Sequence, residues 1–367
     1  MTRETLLMPT LIAASVLAIL SACFLGSTAL PADRLLAALF GGAEAGDRLV
    51  VWQIRLPRAI AAYIVGAALG ISGAALQGLL RNPLAEPGVL GVSASASLMA
   101  TFALYYGIAS ITPWAVPIAA IIGALTATGL ITIAALRTQS VVTLILIGVG
   151  LSSFAGAAMS LLMNLAPNPF SLSDMINWML GSVANRSFDE ITLAAPFILA
   201  GGATLFATRR GLSALTLGEE AAAGIGLNLR RQQIFTVVGA GLATGGAVAL
   251  AGAIGFVGIV APHIIRPFVG HDPARSLVPS ALFSGLILVV ADIFVRLMPT
   301  SAELKLGVVA ALINRRVLIA VRRRFRFHGG SGFSVCRVLF FCFILSHDSS
   351  LLPVISNTVS SAFTQSD

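Results

Sequence analysis

Residues 59–80 read AIAAYIVGAALGISGAALQGLL and end against Arg81-Asn82-Pro83. An uncharged apolar run of this length matches the ~20 residues an α-helix needs to cross a bilayer. Its recurring Gly, Ala and Ser positions let another helix approach closely. Outward from this run the same pattern repeats, predicting spans near 8–30, 59–80, 89–108, 113–136, 141–163, 191–208, 232–254, a short one near 256–268, 277–297 and 304–320. The fold class expected is an all-α polytopic membrane protein of about ten transmembrane helices. Composition agrees: of 367 residues, 57% are hydrophobic and only 10% charged, against roughly 25% charged in an average soluble domain. A soluble globule is excluded.

Net charge is +8, and the only lysine is Lys305. The arginines are scattered between apolar segments rather than gathered on one solvated face, so they read as topology-setting loop charges and no nucleic-acid partner is expected. Cys23, Cys336 and Cys342 form neither an even-numbered framework nor a CxxC pair, which gives no disulfide scaffold or zinc ribbon. The first apolar run continues for about twenty residues without a cleavage signal and is retained as a membrane helix. With the N-terminus inside, Arg3, Arg81, Arg137, Arg209, Arg210, Arg230, Arg231, Arg266 and Arg275 fall on the cytoplasmic side. Arg34, Arg48, Arg55, Arg58, Arg186, Arg296 and Lys305 fall outside. These outer cations need a reason other than topology.

Residues 65–74 (VGAALGISGA) and 238–247 (VGAGLATGGA) share six of ten residues at an offset of 173, and each holds a GxxxG, Gly66 with Gly70 and Gly241 with Gly245. The two segments cross in opposite directions in this topology, so the pair predicts an inverted repeat.

A carrier driven by an ion gradient needs ionisable groups at mid-membrane, and the first nine spans carry almost none. Asp292 lies near the outer end of its helix with Arg296 four residues on, the spacing of a local ion pair. His263 and His271 frame a short loop with no further ligand at metal spacing, so no metal site or other cofactor is expected. No nucleophilic triad or carboxylate pair is present, and no catalytic residue is assigned. GxxxxGK[ST] is absent, so any ATP must be bound by another subunit. The polar interruption at residues 209–233, RRGLSALTLGEEAAAGIGLNLRRQQ, reads as a short capped helix, a glycine break and a second short piece.

Four blocks taken together then resemble the FecCD family of ABC transporters, the permease subunits of iron-siderophore, haem and vitamin B12 importers. They are RLPR at 55–58 with GAALGISGAALQGLLRNPLAEPGVLGVSASA at 66–96, LGEEAAAGIGLNLRR at 217–231, the stretch 252–296 beginning GAIGFVGIVAPHIIRPF, and a shortened ELKLGVVAALI at 303–313. Their order and spacing match the family over most of the chain from about residue 50. The resemblance implies a vitamin B12-permease-like fold in the cell inner membrane. It also implies a second permease protomer, in a homo- or heterodimer, two ATPase subunits below and a periplasmic substrate-binding protein above, with a metal chelate as substrate and membrane lipids around it. By the same resemblance Arg55, Arg58 and Arg296 are positions that receive acidic residues of the binding protein. Leu217, Gly218, Glu219, Glu220, Gly224, Gly226 and Leu227 belong to a loop that rests in a groove of the ATPase. Gln77, Asn82, Pro83, Pro87, Pro262 and His263 complete the family pattern as structural positions, Asn82, Pro83 and Pro87 shaping a cytoplasmic turn. The substrate expected first is a ferric siderophore, with haem or cobalamin as the alternative and a self-contained secondary transporter as the rival of another class.

Past Ile313 the likeness stops. Arg315 and Arg316 would fall inside the tenth span, each costing on the order of 2.5–3.5 kcal/mol at a helix centre. A permease domain over residues 1–320 and a divergent, frame-altered tail over 321–367 are therefore expected.

Overall fold

The computed structural model describes residues 3–26, 31–40, 42, 44–138, 140–298 and 305–310. In chain order the helices are α1 (Arg3–Phe24), α2 (Ala32–Phe40), α3 (Ala45–Leu49), α4 (Leu56–Leu79), α5 (Val92–Tyr105), α6 (Ala115–Arg137) and α7 (Val141–Asn164). Next come α8 (Pro169–Leu180), α9 (Phe188–Ala207), α10 (Arg209–Ala214), α11 (Glu219–Gly224), α12 (Leu229–Ala251), α13 (Val257–Ile265) and α14 (Pro273–Leu297). No strand occurs among the described residues.

Among the described residues seven stretches are long and apolar enough to cross a membrane: Leu6–Phe24, Ala45–Leu79, α6, α7, α9, α12 and α14; α5 and Val257–Phe268 are shorter apolar helices. These nine coincide with the first nine expected spans. The tenth, expected over 304–320, enters the described residues only at 305–310, and Glu303, Arg315, Arg316 and the tail lie outside them. Two boundaries differ from expectation. The first helix stops at Phe24 rather than at residue 30. The second starts at Ala45, running through α3, a π-turn over Val50–Arg55 and α4 as one stretch of 35 residues. Helix α8 was not expected; at 12 residues it is too short for a span, and Pro169 at its first turn with Asn168 accepting from the Ser171 N–H at 2.8 Å starts it cleanly.

Capping also fixes three later starts. Ser187 and Glu190 form a reciprocal capping box on α9, Asn228 Oδ1 accepts from the Arg231 N–H at 2.9 Å on α12, and Asp272 Oδ1 accepts from the Ala274 N–H at 2.9 Å on α14.

Helices α4 and α12 form the centre, 72% and 78% of their apolar windows being enclosed, whereas α7 and α1, at 17% and 22%, present most of their surface outward. Both GxxxG pairs lie in helix contacts. A β-carbon at Gly66 or Gly70 would run into α14 at Ser280, Ser284 and Gly285, and one at Gly241 or Gly245 into α6 at Thr128 and Ala124. The missing side chains are what lets these backbones close up. Arg81, just past the end of α4, pairs with Glu219, shortly before α12. The two central helices therefore run in opposite directions, the relation an inverted repeat requires.

Candidate functional site

Polar chemistry gathers at the two ends of the bundle. At the end expected to face outward, the π-turn leads Arg55 beneath the last turn of α1. That turn leaves backbone carbonyls without helical partners. Arg55 Nη1 donates to Cys23 O at 2.8 Å and Phe24 O at 3.2 Å, and Arg296 Nη1 donates to Ala22 O at 3.0 Å. Cations at a helix C-terminus also meet the negative end of its dipole. Asp292 sits in the middle: Arg58 donates to its Oδ1 from Nε and Nη2, both at 2.9 Å, and Arg296 Nη2 binds its Oδ2. The expected Asp292–Arg296 pair is thus present, and Arg58 joins it from α4.

These arginines are the positions expected to receive acidic residues of a binding protein. The three arginines are brought together, but they turn inward. Arg55 is 4% exposed and Asp292 1%, while the Arg296 and Arg58 side chains are 5% and 14% exposed. Sequence spacing placed all three at one end of the bundle. It held no sign that the end of α1 would cover them.

At the opposite end lies the predicted coupling loop. Two short helices are there, but they flank Gly218, at φ 100°, rather than the Gly224-Ile225-Gly226 break. Helix α10 ends in a 3₁₀ turn over Leu215–Leu217, and α11 comes next with Gly218 at its N-cap. Thr216 Oγ1 donates to Ser213 O at 2.6 Å. Helix α11 closes with the Leu227 N–H on Ala222 O at 3.0 Å and the Gly226 N–H on Ala223 O at 2.9 Å. This is a Schellman closure whose left-handed residue, Gly226 at φ 93°, must lack a β-carbon. Beyond the break the chain enters the capped start of α12, not another short piece. Leu227 packs on the core, Glu220 and Gly224 face outward, and Leu217 and Ile225 are 66% and 68% exposed. Ile225 was missed by sequence reading; an isoleucine between two glycines in a polar loop was the available signal.

Three bonds hold this ledge. Arg81 Nη2 pairs with Glu219 Oε1 at 2.8 Å, Ser213 Oγ donates to Asp272 Oδ1 at 2.6 Å, and Gln232 Nε2 donates to Thr208 O at 3.0 Å. The first is half-exposed, so its worth is at most about 1 kcal/mol; its value is in tying the turn after α4 to α11. In that turn Asn82 Oδ1 accepts from the Leu84 N–H at 2.9 Å, Pro83 is exposed, and buried Pro87 opens a 3₁₀ turn. The side chain of Asn82 thus closes the turn, and the fixed φ of Pro87 starts the next one.

Gln77 and Pro262 form one unit. Proline lacks the N–H that would bond the carbonyl four residues back, here that of Gly258. Gln77 Nε2, buried in α4, donates to Gly258 O and Ile259 O, both at 3.3 Å. His263 projects outward, and no group of His, Cys, Asp and Glu suited to a metal exists among the described residues.

Beside this contact a cavity of about 330 Å³ is lined by Glu86, Ser93, Ser97, Ser152, Met159 and Gly255, among others. Glu86 Oε2 accepts from the Phe256 N–H at 3.3 Å, at the start of α13. Enclosure pushes this carboxyl above its ordinary value, and the Phe256 N–H, which favours the charged form, offsets only part of that. Sequence reading took RNPLAEP for its prolines and passed over the carboxylate. Because the folded value is raised, the native state holds the proton more tightly than the unfolded chain. Its contribution to stability is full below the ordinary glutamate value of about 4.3 and is lost as pH rises through the folded value. Thermal midpoints measured across that window should fall with rising pH more in wild type than in Glu86→Gln. Identical slopes would contradict this placement of the carboxyl.

A family model described as the FecCD transport family matches residues 12–324. The uncharacterized ABC transporter permease protein YvrB of Bacillus subtilis is 38% identical over 295 residues, covering 77% of this chain and 83% of that protein. The vitamin B12 import system permease protein BtuC of Citrobacter koseri is 39% identical over 277 residues, covering 75% and 83%. Among solved structures, one described as an inward-facing conformation of a metal-chelate type ABC transporter superposes with a TM-score of 0.78 at 25% identity, over 88% of this chain and 99% of the other.

Proposed function

Because the chain belongs to the FecCD transport family, and its relatives YvrB and BtuC are permease proteins, we propose that it carries a metal chelate inward, ferric siderophore foremost. It is a multi-pass membrane protein with seven long apolar helices among its described residues, and the cell inner membrane is the location proposed. The observation that carries the mechanism is the ledge at the inner end: α11, tied through Glu219 to Arg81 after α4, with Leu217 and Ile225 exposed beside it and α10 just before it bonded to the start of α14. Exposed apolar side chains on a short, braced helix suit contact with a moving partner. We take that partner to be an ATPase subunit, with Glu219, Glu220, Gly224 and Gly226 shaping the contact. Closure of two such subunits would push two ledges, one from each protomer of a permease dimer, and rock the bundle between outward- and inward-open states.

At the other end we propose that a periplasmic binding protein docks over the arginine cluster. Arg58 is the most accessible of the three, while Arg55 and Arg296 hold the end of α1 in place. Charge pairing there sets encounter and register more than affinity. Arg58→Gln leaves Asp292 paired with Arg296. It should lower binding-protein-stimulated ATP hydrolysis roughly tenfold, while co-purification with the ATPase is retained. Stimulation at the wild-type level would remove Arg58 from the docking surface. The choice among ferric siderophore, haem and cobalamin is tested by reconstitution with the partner subunits and a panel of these three. Stimulated uptake of cobalamin or haem alone would replace the siderophore reading.

A further inference from the structure

A second cavity, of about 630 Å³, opens at the ledge end between α1, the end of α9, α10 and the start of α14. It has two kinds of wall. Leu7 and Met8 of α1, Phe206 of α9 and Val278 of α14 make an apolar side, and Arg209, Arg210 and Arg275 make a cationic side. The apolar residues belong to helices that qualify as membrane spans, and Leu7 and Met8 stand where the first of those spans begins. The cavity therefore straddles the level at which acyl chains give way to headgroups.

Its charges are unbalanced. The guanidinium of Arg209 rests over the Phe206 ring, 4.1 Å from its centroid, which keeps it at the apolar edge. Arg210 is exposed and forms no ion pair with the described residues. The nearby carboxylate, Asp272, is occupied by Ser213 Oγ, by the Ala274 N–H and by Arg275 Nε at 3.5 Å. Neither Arg209 nor Arg210 pairs with a carboxylate among the described residues, which leaves unpaired positive charge on this wall.

We propose that this cavity binds an anionic phospholipid of the cytoplasmic leaflet, its phosphate on Arg209, Arg210 and Arg275 and its acyl chains along Leu7, Phe206 and Val278. Basic pockets between transmembrane helices on that side suit such headgroups. A free phosphate would satisfy the arginines and leave the apolar wall wet. A bound headgroup joins α10 to α14 and reinforces the Ser213–Asp272 bond, which braces the ledge. That last consequence rests on the coupling role proposed for α11; the binding itself does not.

The full chain, purified in mild detergent and washed free of lipid, is offered dioleoyl phosphatidylglycerol, dioleoyl phosphatidylcholine or inorganic phosphate, and retained lipid is counted by native mass spectrometry. Phosphatidylglycerol should be retained at least about tenfold over phosphatidylcholine and should raise the thermal midpoint, whereas phosphate should not. Arg210→Gln, an exposed change that the fold tolerates, should reduce the preference, and Arg209→Gln/Arg210→Gln/Arg275→Gln should abolish it. Equal retention of the two lipids, an undiminished preference in the triple variant, or equal stabilisation by phosphate would overturn the proposal. Because the readout is binding, it stands or falls whether or not the chain proves to carry a chelate.

Discussion

Replacing Asp292 by Asn should lower the stability of the folded chain by about 3–5 kcal/mol, read as a lower thermal midpoint in detergent or nanodiscs. The side chain keeps its size, so no cavity is made and only the charge is lost. That charge faces Arg58 and Arg296, with Arg55 close by on the same helix end. Asn leaves the largely buried Arg296 guanidinium without the carboxylate it binds, the situation in which breaking a buried pair costs most. Removing one of the cations as well should return part of the loss: Asp292→Asn with Arg58→Gln should be more stable than the sum of the single changes allows. A midpoint for Asp292→Asn indistinguishable from wild type would mean that the cluster does not hold α1.

The second large effect is expected at the inner end. Leu217→Asp with Ile225→Asp should abolish ATP-driven uptake and weaken association with the ATPase by a hundredfold or more, since two apolar anchors buried at such an interface each contribute on the order of 2 kcal/mol. Both side chains are about two-thirds exposed in the chain alone, so the thermal midpoint should stay near wild type. Co-purification of permease and ATPase reads the first effect, and a melting curve reads the second. Association at full strength would place the coupling surface elsewhere.

How much of this was legible from sequence differs by residue. Apolar run length located nine spans because a helix must satisfy its own backbone inside lipid, and that constraint is local. It failed at α8, where twelve mixed residues fall below the length signal. It failed again at residues 45–55, where a span continues as helix beyond its apolar run. The small-residue pairs Gly66–Gly70 and Gly241–Gly245 announced close contact but not their partners, since α14 and α6 come to them only in three dimensions. The pairing of Asp292 with Arg296 was readable from four-residue spacing. Arg58, 234 positions away from Asp292, was not. Likewise Pro262 and Gln77 stand far apart in the chain, and only the fold shows that one supplies the donor the other lacks.

On the proposed mechanism the permease moves its cargo with force borrowed from a separate ATPase through the α11 ledge. The measurement that bears on it most directly is chelate uptake into liposomes holding the purified chain, with and without the ATPase and binding protein, under an imposed proton or sodium gradient. Uptake should appear only when both partners and ATP are present, and should ignore the gradient. Accumulation against a concentration difference by the chain alone would contradict the claim.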